Sequence, residues 1–100
     1  MYCAQYKCLA AKQTGNTEMM HCSLVGRCCE SGDIIQADIL LPADIKRGDI
    51  VAVCTTGAYN YSMASNYNRV PRPPIVMLSG GESYIAVRRE SLEDICLNDL

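Results

Sequence analysis

The sequence predicts a mainly β domain, a barrel or sandwich of short strands followed by one short C-terminal helix. Three observations predict it. One hundred residues is room for a single domain over 1–100, and 49% hydrophobic residues with 20% charged is the composition of a chain that packs a core. Five apolar, partly β-branched runs of strand length recur along the chain. Between them stand glycine-bearing turn signals at the spacing of a barrel or sandwich.

Taken in order, Tyr2 to Ala11 fits strand and helix equally well. Residues 19–25 (MMHCSLV), 34–41 (IIQADILL), 50–55 (IVAVCT), 75–78 (IVML) and 83–88 (SYIAVR) are the predicted strands. Ser31-Gly32-Asp33, Lys46-Arg47-Gly48-Asp49 and Ser79-Gly80-Gly81-Glu82 each place a glycine where the backbone can take positive φ, and the last reads as a hairpin turn. Ser91 three residues before Asp94 has the spacing of a capping box, opening a helix that runs through Leu97.

Charge and composition exclude several function classes. The formal charge of −2 is spread along the chain with both signs interspersed, and a pI near 5.2 lacks the basic stripe of a nucleic-acid binder. No apolar run reaches the ~20 residues of a membrane span, and no basic n-region precedes an apolar stretch at the N-terminus. The expectation is a soluble, cytoplasmic protein. Seven cysteines are an odd number and accompany no export signal, so reduced thiols are expected rather than a disulfide framework. Cys3 and Cys8 with His21 and Cys22 offer no second short-spaced knuckle, and no metal is expected.

Two stretches stand apart from this strand-and-turn pattern. Arg27-Cys28-Cys29-Glu30-Ser31-Gly32-Asp33 sets a thiol beside a carboxylate just before a turn. That pair can act as proton donor or nucleophile next to an anchor for a cation; equally, adjacent residues on a strand point to opposite faces and would be one core and one solvated side chain. Gly57 to Pro74 (GAYNYSMASNYNRVPRPP) is the second: eighteen residues dense in Tyr, Asn and Ser, with almost no aliphatic side chains. Phe and Trp are absent, so the six tyrosines carry all the aromatic area, and Tyr59, Tyr61 and Tyr67 fall together in this loop. A loop of this length without secondary structure of its own is usually functional, while a solvated loop carrying Arg69 and Arg72 at the surface is the plain alternative. His21 is the single histidine and reads as a packed or surface residue, which leaves a cysteine-protease pairing unsupported. Nucleophile elbow, P-loop and dinucleotide fingerprints are all missing.

Cys29-Glu30-Ser31-Gly32-Asp33, preceded by Leu24-Val25-Gly26, resembles the Cys-Glu-Ser-Gly-Asp motif of the diaminopimelate decarboxylase family. Gly57-Ala58-Tyr59 running on through Ser62-Met63-Ala64-Ser65-Asn66-Tyr67-Asn68 to Arg72-Pro73 is similar to that family's second signature. Lys46-Arg47-Gly48-Asp49 and Arg88-Arg89-Glu90 extend the likeness over nearly the whole chain. One departure is that Gly26-Arg27-Cys28 stands where the family usually carries a glycine-proline pair.

The resemblance implies the C-terminal β-domain of a fold-type III pyridoxal phosphate decarboxylase that converts meso-diaminopimelate to L-lysine and carbon dioxide. It implies that Cys29 is the acid that reprotonates the substrate carbon, and that Glu30 holds the distal ammonium. Tyr59 would touch both cofactor and substrate, and Tyr2 would match a substrate-binding tyrosine. The implied partners are an N-terminal (β/α)₈ barrel, which supplies the Schiff-base lysine, and the second subunit of a homodimer. A barrel of ~250 residues cannot fit in this chain, so the chain alone is expected to be an inactive part of the enzyme. Relatives that decarboxylate ornithine or arginine share the architecture but typically carry Asp after the cysteine and lack the Met-Ala-Ser-Asn-Tyr-Asn run, so Glu30 and Ser31 favour diaminopimelate and a sibling decarboxylase is the runner-up. A non-catalytic dimerisation module using the Tyr/Asn loop as its interface is the alternative from another class.

Overall fold

A computed structural model describes residues 4–12, 15 and 18–100 of the protein. Among the described residues six strands and two single-turn helices follow one another in the order β1 (Cys8–Ala10), β2 (Met19–Val25), β3 (Ile34–Pro42), β4 (Val51–Val53), α1 (Asn60–Met63), β5 (Ile75–Ser79), β6 (Glu82–Val87) and α2 (Leu92–Ile95). A 3-10 turn, Tyr67–Arg69, lies between α1 and β5. The chain divides into two compact units, Met1–Ala58 and Tyr59–Leu100.

In the first unit β2 and β3 form an antiparallel ribbon, and β1 pairs antiparallel with β4. Met19–Val25 alternates exposed and half-buried residues along its whole length, with Met20, Cys22 and Leu24 on the inner face. That period of two is why the segment is a strand and why its register is fixed. The register runs from Met19↔Pro42 to Cys22↔Ile39, then shifts at Leu24↔Gln36 and again at Val25↔Ile34. Each shift sets an extra residue on β3, so the ribbon bends as it approaches the connecting loop.

Leu41 is the one buried apolar residue among the described residues, at 5% exposure, and Gln36, five residues earlier on the same strand, is buried at 8%. A buried amide needs a partner. The Gln36 Nε2 donates to the Ala4 carbonyl at 2.9 Å, tying the N-terminal segment to β3. Backbone bonds from Ala11 N to Ile50 O and from Cys54 N to Lys7 O extend the β1–β4 pairing at both ends. The turn before β4 is held by Asp49, whose carboxylate accepts from Lys46 N at 2.9 Å, and Gly48 sits at φ 97°, where only glycine is at ease.

In the second unit β5 and β6 form a hairpin whose Gly80 and Gly81, at φ 57° and 78°, make the two-residue turn the sequence predicts. The capping box is also as predicted: Ser91 Oγ accepts from Asp94 N at 3.2 Å, and the Asp94 carboxylate accepts from Ser91 N at 2.8 Å. The helix it opens ends at Ile95 rather than Leu97.

The described residues are mainly strand, as expected, in sheets of two strands each. Two expectations are corrected. Gly32 is absent from the positive-φ glycines, so its place in the turn has another cause, given below. The Gly57–Pro74 stretch carries helix α1 and the 3-10 turn instead of being irregular throughout. Among the described residues no helix is long and apolar enough to cross a membrane.

Candidate functional site

The β2–β3 connection carries Cys29 and Glu30. Ladder pairing ends at Val25↔Ile34, and residues 27–29 bend out of the strand. The strand alternation that would separate the two side chains therefore does not operate here. Both residues are exposed on one reverse loop, while Cys28 is half-buried.

Asp33 organises the loop. Its backbone carbonyl accepts from Gly26 N at 2.8 Å and its backbone N–H donates to Glu30 O at 3.1 Å. The Asp33 Oδ2 accepts from Cys28 N at 2.8 Å. A Cβ at Gly26 would lie 2.0 Å from that same oxygen, so the carboxylate occupies the space that only a glycine leaves open. Glu30 folds over the turn tip, with Oε1 accepting from Gly32 N at 2.8 Å. A Cβ at Gly32 would meet both Glu30 carboxylate oxygens at 2.9 Å, which explains a glycine here without positive φ. An ionised carboxylate has about four lone-pair positions, so this single bond leaves Glu30 capacity for a cationic ligand.

Tyr59 opens the second unit as the N-cap residue of α1, 79% exposed, at φ 71° and ψ −41°. Its carbonyl accepts from Met63 N at 2.9 Å and Ser62 Oγ at 2.8 Å, so the turn is fastened through its backbone and the ring stays in solvent. A bulky residue at positive φ costs roughly 1–3 kcal/mol, and such outliers cluster at binding sites.

Behind Tyr59 the rest of this loop is locked by Glu90. Its Oε2 accepts from Asn66 Nδ2 at 2.6 Å and Arg72 N at 2.7 Å, and its Oε1 from the Arg72 guanidinium at 2.8 Å. These donors, the Arg72 N–H foremost, hold the Glu90 carboxyl below its ordinary value. The Arg72 Nε in turn donates to Ala64 O at 3.0 Å. Arg72 is thus a half-buried strut and not the solvated surface arginine of the plain sequence reading. His21 is a surface residue, with Nδ1 at 2.9 Å from the Asp38 carboxylate. Tyr2 lies outside the described residues.

The model of the family described as "Pyridoxal-dependent decarboxylase, C-terminal sheet domain" matches residues 1–57, and so spans β1 to β4 and the Cys29–Glu30 loop. The chain belongs to this family. Over its full length the chain is 49% identical to the diaminopimelate decarboxylase of Bacillus subtilis, and over 99 residues it is 40% identical to that of Staphylococcus aureus. It spans 23% of the length of each of those relatives. Among solved structures it is similar to the diaminopimelate decarboxylase of M. jannaschii in co-complex with L-lysine, with a TM-score of 0.88 and 32% identity over 99% of this chain and 22% of that one. The Helicobacter pylori diaminopimelate decarboxylase complexed with L-lysine gives a TM-score of 0.83 and 33% identity over 94% of this chain and 23% of that one.

Motif residues were readable from the sequence; their supports were not. Neither Asp33 as the loop's clamp nor Glu90 as the anchor of the Tyr59 loop was singled out, because each acts through a partner fixed only by folding. The signal available for Asp33 was its place closing the Cys-Glu-Ser-Gly-Asp run.

Proposed function

We propose that this sheet domain works as part of a pyridoxal phosphate-dependent decarboxylase that converts meso-diaminopimelate to L-lysine and carbon dioxide. The observation that carries the reading is the Cys29–Glu30 pair presented together on one clamped loop, in a chain 49% identical over its full length to a diaminopimelate decarboxylase. The first unit offers an exposed thiol and carboxylate and the second an exposed phenol, groups suited to a polar substrate and to the edge of a cofactor held by another domain. Pyridoxal phosphate supplies the electron sink that lets the carboxylate depart.

The chain's own residues supply recognition and a proton. The Glu30 carboxylate binds the distal ammonium of the substrate in a charge-assisted contact, which rejects amino acids lacking that group. When the bond to the leaving carboxylate breaks, the carbon takes a proton from Cys29 Sγ, and the thiolate regains one from solvent. Tyr59 lays its exposed ring and hydroxyl against cofactor and substrate, and Tyr2 adds a substrate contact.

The partners in this reading are an N-terminal barrel carrying the Schiff-base lysine and the second subunit of a cytoplasmic homodimer. Exposed Ile50, Leu78 and Ile85 support a covering partner, since large apolar side chains gain by leaving water. The test is carbon dioxide and lysine release from meso-diaminopimelate by the full natural protein containing these residues, loaded with pyridoxal phosphate, with ornithine and arginine as decoys. Selective turnover of diaminopimelate is expected. A folded, cofactor-loaded protein that turns over none of the three would make the domain a binding module.

A further inference from the structure

We infer that Asp33 is a positioning residue for the reaction, setting the places of Cys29 and Glu30 without touching substrate; the inference rests on the functional reading above. Three bonds converge on it. The side-chain Oδ2 takes the Cys28 N–H at 2.8 Å, the backbone N–H reaches Glu30 O at 3.1 Å, and the carbonyl takes the Gly26 N–H at 2.8 Å. Cys29 is thereby the residue between two anchored neighbours, Cys28 and Glu30, both fastened to Asp33.

Two backbone bonds of this set would survive any side-chain change, so the carboxylate bond to Cys28 is the part the residue type decides. It is also the part that Gly26 makes room for, since any Cβ there would stand 2.0 Å from Oδ2. Without the bond, the Cys28 peptide can rotate and carry the Cys29 thiol with it. Displacements of about 1 Å at a reacting group can cost on the order of a hundredfold in rate.

The chemistry separates tether from charge. Asparagine has the shape of aspartate and a carbonyl oxygen that accepts the same N–H, but no charge; alanine has neither oxygen. In the full cofactor-loaded protein, Asp33→Ala is expected to lower kcat for meso-diaminopimelate by about ten- to a hundredfold, while Asp33→Asn restores it to within about fivefold of wild type. A structural role alone would lower the amount of folded, cofactor-loaded enzyme without lowering the turnover of each loaded site.

Amide exchange at Cys28, read on the same proteins, reports the tether with no reference to turnover. It is expected to quicken in Asp33→Ala and to stay near the wild-type rate in Asp33→Asn. Unchanged kcat per loaded site in Asp33→Ala, or Asp33→Asn as impaired as Asp33→Ala, overturns the inference. A wild type that releases no carbon dioxide from diaminopimelate overturns the functional reading instead, and Cys28 exchange still decides whether Asp33 holds the loop.

Discussion

Substituting Gly26 by alanine puts a methyl group where the Asp33 carboxylate sits. The new Cβ would lie 2.0 and 2.1 Å from the two carboxylate oxygens and 2.2 Å from their carbon, far inside contact distance. The short Asp33 side chain has to swing away, and the Cys28 N–H then loses its acceptor at 2.8 Å. A hydrogen bond to a charged group contributes about 1.5–3 kcal/mol, which corresponds to roughly ten- to 150-fold faster opening of that amide. The assay is hydrogen exchange resolved to single amides in the full protein. Cys28 is expected to exchange faster by that factor, with the paired strand amides around Cys22 and Ile39 unchanged. Combining Gly26→Ala with Asp33→Ala provides the control: once the carboxylate is gone, the methyl group has room, and the double variant should exchange no faster at Cys28 than Asp33→Ala alone. Unchanged Cys28 exchange in Gly26→Ala, or multiplied effects in the double variant, would refute the reasoning.

Further outcomes follow from other parts of the chain. Leu41→Ala removes the one buried apolar side chain among the described residues and is expected to cost about 2–4 kcal/mol in denaturant unfolding; a loss under about 1 kcal/mol would mean the core lies elsewhere. Ser91→Ala removes one half of the capping box and should cost about 1 kcal/mol, with Ser91→Asp restoring most of it. Glu90 has a folded pKa below its unfolded value of ~4.3, so its contribution is present above that value and is lost as pH falls through the folded one. Between about pH 7 and about pH 3, wild type should therefore lose more thermal stability than Glu90→Gln, followed by circular dichroism; equal losses would contradict the Asn66–Glu90–Arg72 lock.

Much of the fold was legible because it depends on short-range chemistry. Met19–Val25 announces itself by strict alternation, Gly80-Gly81 by the φ it permits, and Ser91 with Asp94 by a three-residue spacing. The pairing of strands distant in sequence was not legible: β1 finds β4 across more than forty residues. For the proposed site residues, the family motif named Cys29, Glu30 and Tyr59 as candidates, whereas the local reasons for each one's placement came only with the fold. Gly32 looked like a positive-φ residue and is instead a gap for the Glu30 carboxylate. Arg72 looked like a solvated charge, and its partner Glu90 stands eighteen positions away, beyond any local spacing rule.

The most direct test of the site's role is the KM for meso-diaminopimelate of Glu30→Gln in the full, cofactor-loaded protein. Glutamine keeps an oxygen for the Gly32 N–H but loses the charge proposed to hold the distal ammonium. The expected result is a KM raised about ten- to 150-fold at unchanged cofactor occupancy, the loss of one charge-assisted contact. A KM equal to wild type would contradict the assignment of Glu30 as the substrate's anchor.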